Sequence, residues 1–464
     1  MTYVMGVAAQ IMKSLNDHAV HRGSELSVSD EQSALTFSQL RESVILTRQR
    51  LDAKPGSRVL IDAIPSVSFV VLVLATHLSG HVAYPMSPSA SAVERREVTR
   101  RVRPDVIISD RWPGDASPFR DLVILAEHPT LRSVVRSAQD EGSAAVGFMT
   151  SGSTGRPKVL SFSDKQVGFL TKQVGVRLRY RSADVVYCAL PLSFDYGYYQ
   201  IFLTLFVGAH LVLTSNRAVG VTARVLNDRR ATVFPTVPTL LNAYLTTAVR
   251  AAERPPIRLV TSTGEAFPEP LQVRLAHVHP SAKVALMYGL TECKRVSIGT
   301  HRARDLPCSD VGTPLDGTHV EVVGSDGTSV PAGSVGEVVV AGPHVSSDAP
   351  LTETGRLGTG DLGRFDDQGR LHIVGRMNNE QVKVNGVRAS RSEIERSALR
   401  VHGVIQAACS VDPSGAVTLW VAGDLSVAEL RRGMSRTIDT LRIPTLIRIG
   451  DSLPIGVNGK FGPA

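Results

Sequence analysis

The stretch TSGSTGRPK, Thr150–Lys158, lies between two apolar runs in FMTSGSTGRPKVLSFS, Phe148–Ser163. Its hydroxyls and glycines leave backbone N–H groups uncovered, and Lys158 adds a cation behind them, the combination that an anionic oxygen cluster requires. The same residues read as a hairpin, with FMTSG as a strand, STGRP as a turn and KVLSFS as a returning strand. The readings are compatible, since consecutive turn N–H groups form an anion nest. The stretch is not the strand–GxxxxGK[ST]–helix loop, because Lys158 follows Gly155 too closely and Val159 replaces the hydroxyl.

On both sides of this hairpin, helix-length and strand-length segments alternate. ALTFSQLRESVILTRQRLDAKPGSRVLIDA from Ala34 reads as an amphipathic helix, a Pro-Gly turn and an apolar strand. FVVLVLATHLSGHVAYP from Phe69 is broken by His77, Gly80 and His81, so it reads as a buried helix running into a strand rather than a membrane span. DVVYCALPL, ATVFPTVP, IRLVTSTGEAF and AKVALMYGLTE each end in Thr, Ser, Gly or Pro, and ligands gather at such strand ends. The expected class is α/β: a large N-terminal domain of two mostly parallel sheets with helices plus a β-rich subdomain, and a small mobile α+β C-terminal domain. The boundaries read as 1–377 for the first domain, with the β-rich part at about 310–377, and 378–464 for the second.

With 464 residues, 43% hydrophobic and 20% charged, the chain fits a globular class built of more than one domain. The N-terminus lacks a basic cluster followed by an uninterrupted apolar core, so no signal peptide is expected. Cys188, Cys293, Cys308 and Cys409 form no CxxC pair, which points to reduced thiols and a cytoplasmic location. The net charge of +8 is spread along the chain, aromatics are 5%, and no nucleic-acid motif is present. The excess suits small anionic ligands or an acidic partner protein, with no nucleic acid and no membrane among the expected partners.

Further motifs add to the opening loop. YGLTE, Tyr288–Glu292, ends an apolar strand in a hydroxyl and a carboxylate, suited to a Mg²⁺ beside phosphates. The plainer reading of Thr291 and Glu292 is a helix cap. TGD, Thr359–Asp361, offers a carboxylate for a pair of ribose hydroxyls, GRM adds Arg376, and LPIGVNGKFG places Lys460 on a Gly-flanked turn.

Taken together in this order, TSGSTGRPK, YGLTE, TGD and PIGVNGK resemble the superfamily of AMP-forming adenylating enzymes: acyl-CoA synthetases, luciferases and the adenylation domains of non-ribosomal peptide synthetases. The resemblance runs from about Ala34 to Lys460. It implies that ATP activates a carboxylic acid to acyl-AMP with loss of pyrophosphate, followed by transfer to a thiol. It also implies residue roles. Thr150, Ser151, Gly152, Ser153, Thr154 and Gly155 would wrap the β- and γ-phosphates, supported by Lys158. Glu292 would hold Mg²⁺ and Thr291 the α-phosphate. Gly264, Glu265, Ala266 and Tyr288 would frame the adenine, while Asp361 would hold the ribose, assisted by Arg376. Lys460 would bridge the substrate carboxylate and the α-phosphate.

In the family the small domain turns about an aspartate in GRxDxQxK. Here GRMNNEQVK is longer between Arg376 and Lys383 and carries Asn378 and Asn379 instead, so an asparagine is the expected hinge. Lys383 and Gly386 fall where a pantetheine arm runs in thioester-forming members. Phe194, Asp195 and Gly289 fall at the acyl pocket. An aspartate after that phenylalanine pairs with a substrate ammonium in amino-acid-activating relatives. The alternative is that Asp195 bonds local backbone. Lys294 and Arg295 in ECKRVS lie near the pocket mouth, where they would pair with a second substrate carboxylate or, on the plainer and preferred reading, form a solvated cationic loop.

The leading expectation is therefore ligation of an amino acid or small acyl acid, with ATP and Mg²⁺ as cofactors, to CoA or the pantetheine of a carrier protein. Alternatives are a CoA ligase for a non-amino acid, and an enzyme passing acyl-AMP to an amine or hydroxyl. A degenerate nucleotide-binding protein is the non-enzymatic one.

Overall fold

The computed structural model describes residues 5–51, 53–109, 144–151, 157–216, 218–249, 253–264, 267, 269–305, 309–377, 381–412 and 414–454. A five-stranded sheet runs in the order Val106–Ser109, Arg58–Asp62, Val82–Pro85, Ala144–Ser151, Pro157–Ser163. Its neighbours are parallel except the last pair, an antiparallel hairpin in which Thr150 lies opposite Lys158 and Ser151 opposite Pro157. The apolar run from Phe69 forms the helix Val67–Leu78, whose residues from Phe69 to His77 are buried, followed by the strand Val82–Pro85. Ser66 caps that helix by accepting from the Phe69 N–H.

A nine-stranded sheet packs beside it, in the order Thr313–Pro314, Ser297–Arg302, Lys283–Tyr288, Leu259–Thr263, Val233–Thr236, Val185–Cys188, His210–Leu213, Leu26–Ser29, Ala34–Thr36. Parallel pairing holds through its middle and turns antiparallel at both edges. Helices cover both faces of such a sheet, so its central strands are buried throughout, as in Leu259–Thr263. Thr263 lies opposite Met287, which sets the ends of two parallel strands, and hence Gly264 and Gly289, on one sheet edge.

Between the two sheets the helix Asp195–Val207 is buried over Tyr196–Leu205. Tyr198 and Phe202 meet Phe148 and His77 there, and His77 Nε2 lies 2.8 Å from Tyr198 Oη. Complete burial holds the His77 imidazole neutral, with its pKa pushed down to about 3. After Asp310 comes a four-stranded antiparallel sheet of His319–Val323, Gly336–Ala341, Leu357–Phe365 and Leu371–Arg376. The C-terminal part consists of a hairpin, Gln381–Val384 with Val387–Ser390, and a three-stranded sheet backed by the helices Arg391–Leu399 and Val427–Met434. Ile394, Leu419 and Met434 form its separate core. Among the described residues, no helix is long and apolar enough to cross a membrane.

Candidate active site

The site grows from the shared edge of the strands Leu259–Thr263 and Lys283–Tyr288. Gly264 leaves the first strand at φ 94°, a conformation in which a side chain is strained. Gly289 leaves the second, and a Cβ there would lie 1.6 Å from the Lys294 carbonyl oxygen, so the YGLTE turn closes only around glycine. Tyr288, at the strand end, donates from Oη to Asp361 Oδ2 at 2.8 Å. Asp361 comes from the antiparallel sheet, where Thr359 Oγ1 accepts from its N–H at 3.1 Å and in turn donates to the Val338 carbonyl at 2.7 Å. Burial first, then the nearby Asp361 charge, raise the Tyr288 phenol well above its ordinary pKa, so it stays a donor. A cavity of about 640 Å³ opens here, lined by Gly264, Tyr288, Gly289, Asp361, Gly375 and Lys383 among others. That volume falls within the range of small-molecule sites.

Next to it a smaller cavity of about 80 Å³ brings together Phe194, Asp195, Gly264, Gly289, Thr291, Lys383 and Gly386. Asp195 stands in the first turn of its helix, where the N-terminal dipole favours a carboxylate. Arg295 Nη1 donates to Asp195 Oδ2 at 3.0 Å, and the guanidinium lies 4.9 Å from the centroid of the Tyr196 ring. Tyr196 Oη donates to the Thr261 carbonyl oxygen at 2.7 Å, which fixes the ring from the nine-stranded sheet. Burial alone would raise the Asp195 carboxyl, but Arg295 and then Lys294 outweigh it and hold the pKa below the ordinary value. Behind the pair lies a second, apolar pocket lined by Leu170, Val174, Tyr199, Leu203 and Met287, and Asp195, Tyr196 and Arg295 border both spaces.

The expectation of a solvated cationic loop at Lys294 and Arg295 is corrected here: they are 0% and 7% exposed. The turn forced by Gly289 throws Lys294 into the left-handed region, at φ 57°, and its chain inward between two rings. Its Nζ sits 3.8 Å from the centroid of Phe148 and 3.7 Å from that of Phe162, without a hydrogen-bond partner among the described residues. Burial pushes this ammonium down to about 7. Nothing local marks these residues as buried. The signal is the pair of phenylalanines on the hairpin, more than a hundred positions upstream.

Glu292 Oε1 accepts from Arg388 Nη1 at 2.6 Å, while Oε2 is buried with no hydrogen-bond partner among the described residues. A buried carboxylate oxygen left without a partner fits a cation. Among the described residues no group of His, Cys, Asp and Glu could hold a metal by protein ligands alone. Mg²⁺ takes one or two carboxylates and completes its shell with phosphate oxygens and water.

Arg388 arrives from the C-terminal hairpin. Its turn, Asn385 at φ 51° and Gly386 at φ 81°, has the sign pattern of a tight hairpin turn. Asn385 Nδ2 donates to the Leu441 carbonyl at 3.0 Å, and a Cβ on Gly386 would meet Val237 Cγ1 at 2.7 Å. A Cβ on Gly264 would likewise come 3.4 Å from the Gly386 carbonyl oxygen. Lys383 and Gly386 thus border the smaller cavity. On the far side Arg442 joins Glu94 of the helix Ala92–Val102, at 3.2 Å, to Glu393 of the helix Arg391–Leu399, at 3.1 Å.

Lys158 is exposed on the hairpin strand Pro157–Ser163. Of the other expected residues, Gly152, Ser153, Thr154, Gly155, Glu265, Ala266, Asn378, Asn379 and Lys460 lie outside the described residues. Thr150 and Ser151 end one hairpin strand, and Arg376 ends the strand Leu371–Arg376, opposite Asp361.

A family model described as AMP-binding enzyme matches residues 13–348. An L-proline–[L-prolyl-carrier protein] ligase of Streptomyces coelicolor is 30% identical over 349 residues, covering 69% of this chain and 65% of that protein. The amide bond synthetase McbA from Marinactinospora thermotolerans superposes with a TM-score of 0.79 at 23% identity, covering 98% of each chain. VinN, in a complex with L-aspartate, superposes with a TM-score of 0.67 at 26% identity, over 80% of this chain and 99% of that one. The chain spans 34% and 33% of the length of two further curated relatives that it matches.

Proposed function

Since the chain belongs to the AMP-binding enzyme family, we propose that it is an AMP-forming ligase that activates an amino acid or small acyl acid with ATP and passes it to a pantetheine thiol. The observation that carries this reading is the edge-on cavity in which Tyr288 and Asp361 are hydrogen-bonded beside Gly264, adjoining a second cavity that holds a buried ion pair. A nucleoside laid along that edge would meet the Tyr288 ring and the Asp361 carboxylate. Its α-phosphate would then stand by Thr291, next to an acid seated beside Phe194 and Asp195.

Carboxylate and α-phosphate are both anions, so their approach needs fixed positive charge. Bound at Glu292, Mg²⁺ would supply Lewis-acid charge to the phosphates. Lys460 would hold the attacking carboxylate in line, and the turn of the hairpin at Gly152–Gly155 would grip the departing pyrophosphate. We assign the pivot to Asn378 or Asn379, with residues 378–464 moving as the smaller domain. Lys383 and Gly386 beside the acid cavity support reading this arrangement as the thiol-accepting pose. The net charge of +8 suits an acidic carrier protein or the phosphates of CoA.

The Asp195–Arg295 pair reads as a recognition element with two charges. Asp195 would face a substrate ammonium, and Arg295 a second carboxylate where the acid has one. The similarity to VinN, seen with L-aspartate, supports this reading. A pyrophosphate-exchange panel of amino, dicarboxylic, aryl and aliphatic acids tests it. Exchange with amino acids supports Asp195 as the ammonium anchor. Exchange with plain acids alone removes that role, and no exchange with any acid overturns the enzymatic reading. Lys460→Ala should abolish exchange with circular dichroism unchanged, and ordinary exchange in that variant would sink the lysine assignment.

A further inference from the structure

The strand Pro157–Ser163 is the edge of the five-stranded sheet, so the Ser161 N–H and C=O that face away from the sheet have no strand to pair with among the described residues. Both are taken by a loop 185 and 187 positions further along the chain. Asp348 Oδ2 accepts from the Ser161 N–H at 2.7 Å. Ser346 Oγ donates to the Ser161 carbonyl at 3.0 Å and accepts from the Asp348 N–H at 3.1 Å. The same Ser346, fully buried, donates its own N–H to the Glu292 carbonyl at 2.8 Å. Two residues therefore reach from the hairpin strand that carries Lys158 to the turn that carries Glu292. Their loop is seated on the helix Asp164–Leu178, which continues directly from that strand: Gln166 Nε2 donates to the Val345 carbonyl at 2.8 Å, and the His344 ring stacks on Phe169 with centroids 5.8 Å apart. Burial pushes the His344 imidazole down to about 4, so it packs there as a neutral plate. A second tie joins the same parts, since Lys294, two residues beyond Glu292, lies against Phe162, the neighbour of Ser161.

We infer that Ser346 and Asp348 are positioning residues that hold the phosphate-side hairpin in register with the Glu292 turn, so that the groups facing the β- and γ-phosphates and the carboxylate facing the metal are placed as one unit. This rests on the reading above of the hairpin and Glu292 as the pyrophosphate side of the site. Neither residue lines the cavity of Tyr288 and Asp361. They act through the main chain of Ser161 and Glu292, and ordering both elements beforehand removes that cost from the binding step. The effect is therefore confined to ligands that carry β- and γ-phosphates.

Calorimetry on the whole chain with two probes, α,β-methylene-ATP with Mg²⁺ and AMP, tests this. Asp348 is exposed, so Asp348→Ala removes the acceptor without disturbing the core. It should weaken the ATP analogue about fivefold to tenfold, the worth of one or two hydrogen bonds, and leave AMP within about twofold of wild type. Asp348→Asn keeps an acceptor oxygen without the charge and should restore analogue affinity. Charge alone has the opposite sign, because removing a carboxylate near an anion site tightens anion binding. Ser346→Ala should reproduce the loss, and amide exchange at Ser161 should quicken in Asp348→Ala with no ligand present. Analogue affinity in Asp348→Ala equal to or tighter than wild type would overturn the inference. Equal losses for the analogue and AMP would overturn it too, by marking a purely structural role. A wild-type chain that binds neither probe defeats the reading beneath; with wild-type binding intact, those two outcomes defeat this inference alone.

Discussion

Replacing Arg295 with methionine isolates what the buried pair contributes. Asp195 and Arg295 have side chains 15% and 9% exposed, and their charged atoms are 3.0 Å apart. At an effective dielectric of about 20, that separation corresponds to roughly 5–6 kcal/mol of gross attraction. Removing one partner of a buried pair loses about 3–5 kcal/mol, because the remaining charge stays desolvated. Arg295→Met should therefore destabilise the chain by about that amount at pH 7.5, read as a shift in urea midpoint at unchanged slope. The pH dependence carries the sign. In the wild type the Asp195 pKa is lowered in the folded state, so its stabilisation is present above the unfolded pKa of about 3.8 and lost as pH falls through the lower folded value. In the variant burial is opposed only by Lys294 and the Tyr196 backbone N–H, the folded pKa moves up, and protonation relieves the strain as pH falls. The gap between wild type and variant should narrow between pH 7.5 and pH 5. Asp195→Asn combined with Arg295→Met should be more stable than Arg295→Met alone, since the desolvated carboxylate is gone. A single variant losing less than 1 kcal/mol, or a double variant no better than the single, would refute the reasoning.

Three further outcomes are expected. Tyr288→Phe removes the 2.8 Å bond to Asp361 and should lower stability by about 1–3 kcal/mol, while weakening AMP binding in calorimetry; unchanged affinity would separate this hydroxyl from the nucleotide site. Gly289→Ala forces a Cβ to 1.6 Å from the Lys294 carbonyl oxygen and should abolish AMP binding and lower the Tm by many degrees. A variant with wild-type Tm would show that the turn relaxes freely. Lys294→Met keeps the volume between Phe148 and Phe162 without a buried cation, so thermal unfolding should show an equal or higher Tm. A drop of several degrees would mean that the ammonium is needed where it lies.

The alternation of helix and strand patterns was sufficient to read two mostly parallel sheets, the buried helix Val67–Leu78 and the β-rich stretch after Asp310, since each is a local periodicity. Likewise, Gly264, Tyr288 and Asp361 were legible as motif residues, and the structure brings them to one cavity. What stayed hidden depends on strand order. Lys294 and Arg295 follow a short turn and look solvated until Ser297–Arg302 pairs antiparallel with Lys283–Tyr288 and carries them under the phenylalanines of the hairpin. The contact of Arg388 with Glu292 was illegible for the same reason, because neither residue's neighbours encode where the C-terminal hairpin seats.

The apposition of Gly264 and Gly386 has its own consequence. Two backbones meet there with no side chain between them, so the fit has no soft material to absorb a misplacement. Such a contact behaves like a latch rather than a cushion: it closes fully or not at all. Clearance between the strand end and the hairpin turn is therefore set by main chain at this point, and by the Val237 side chain beside Gly386.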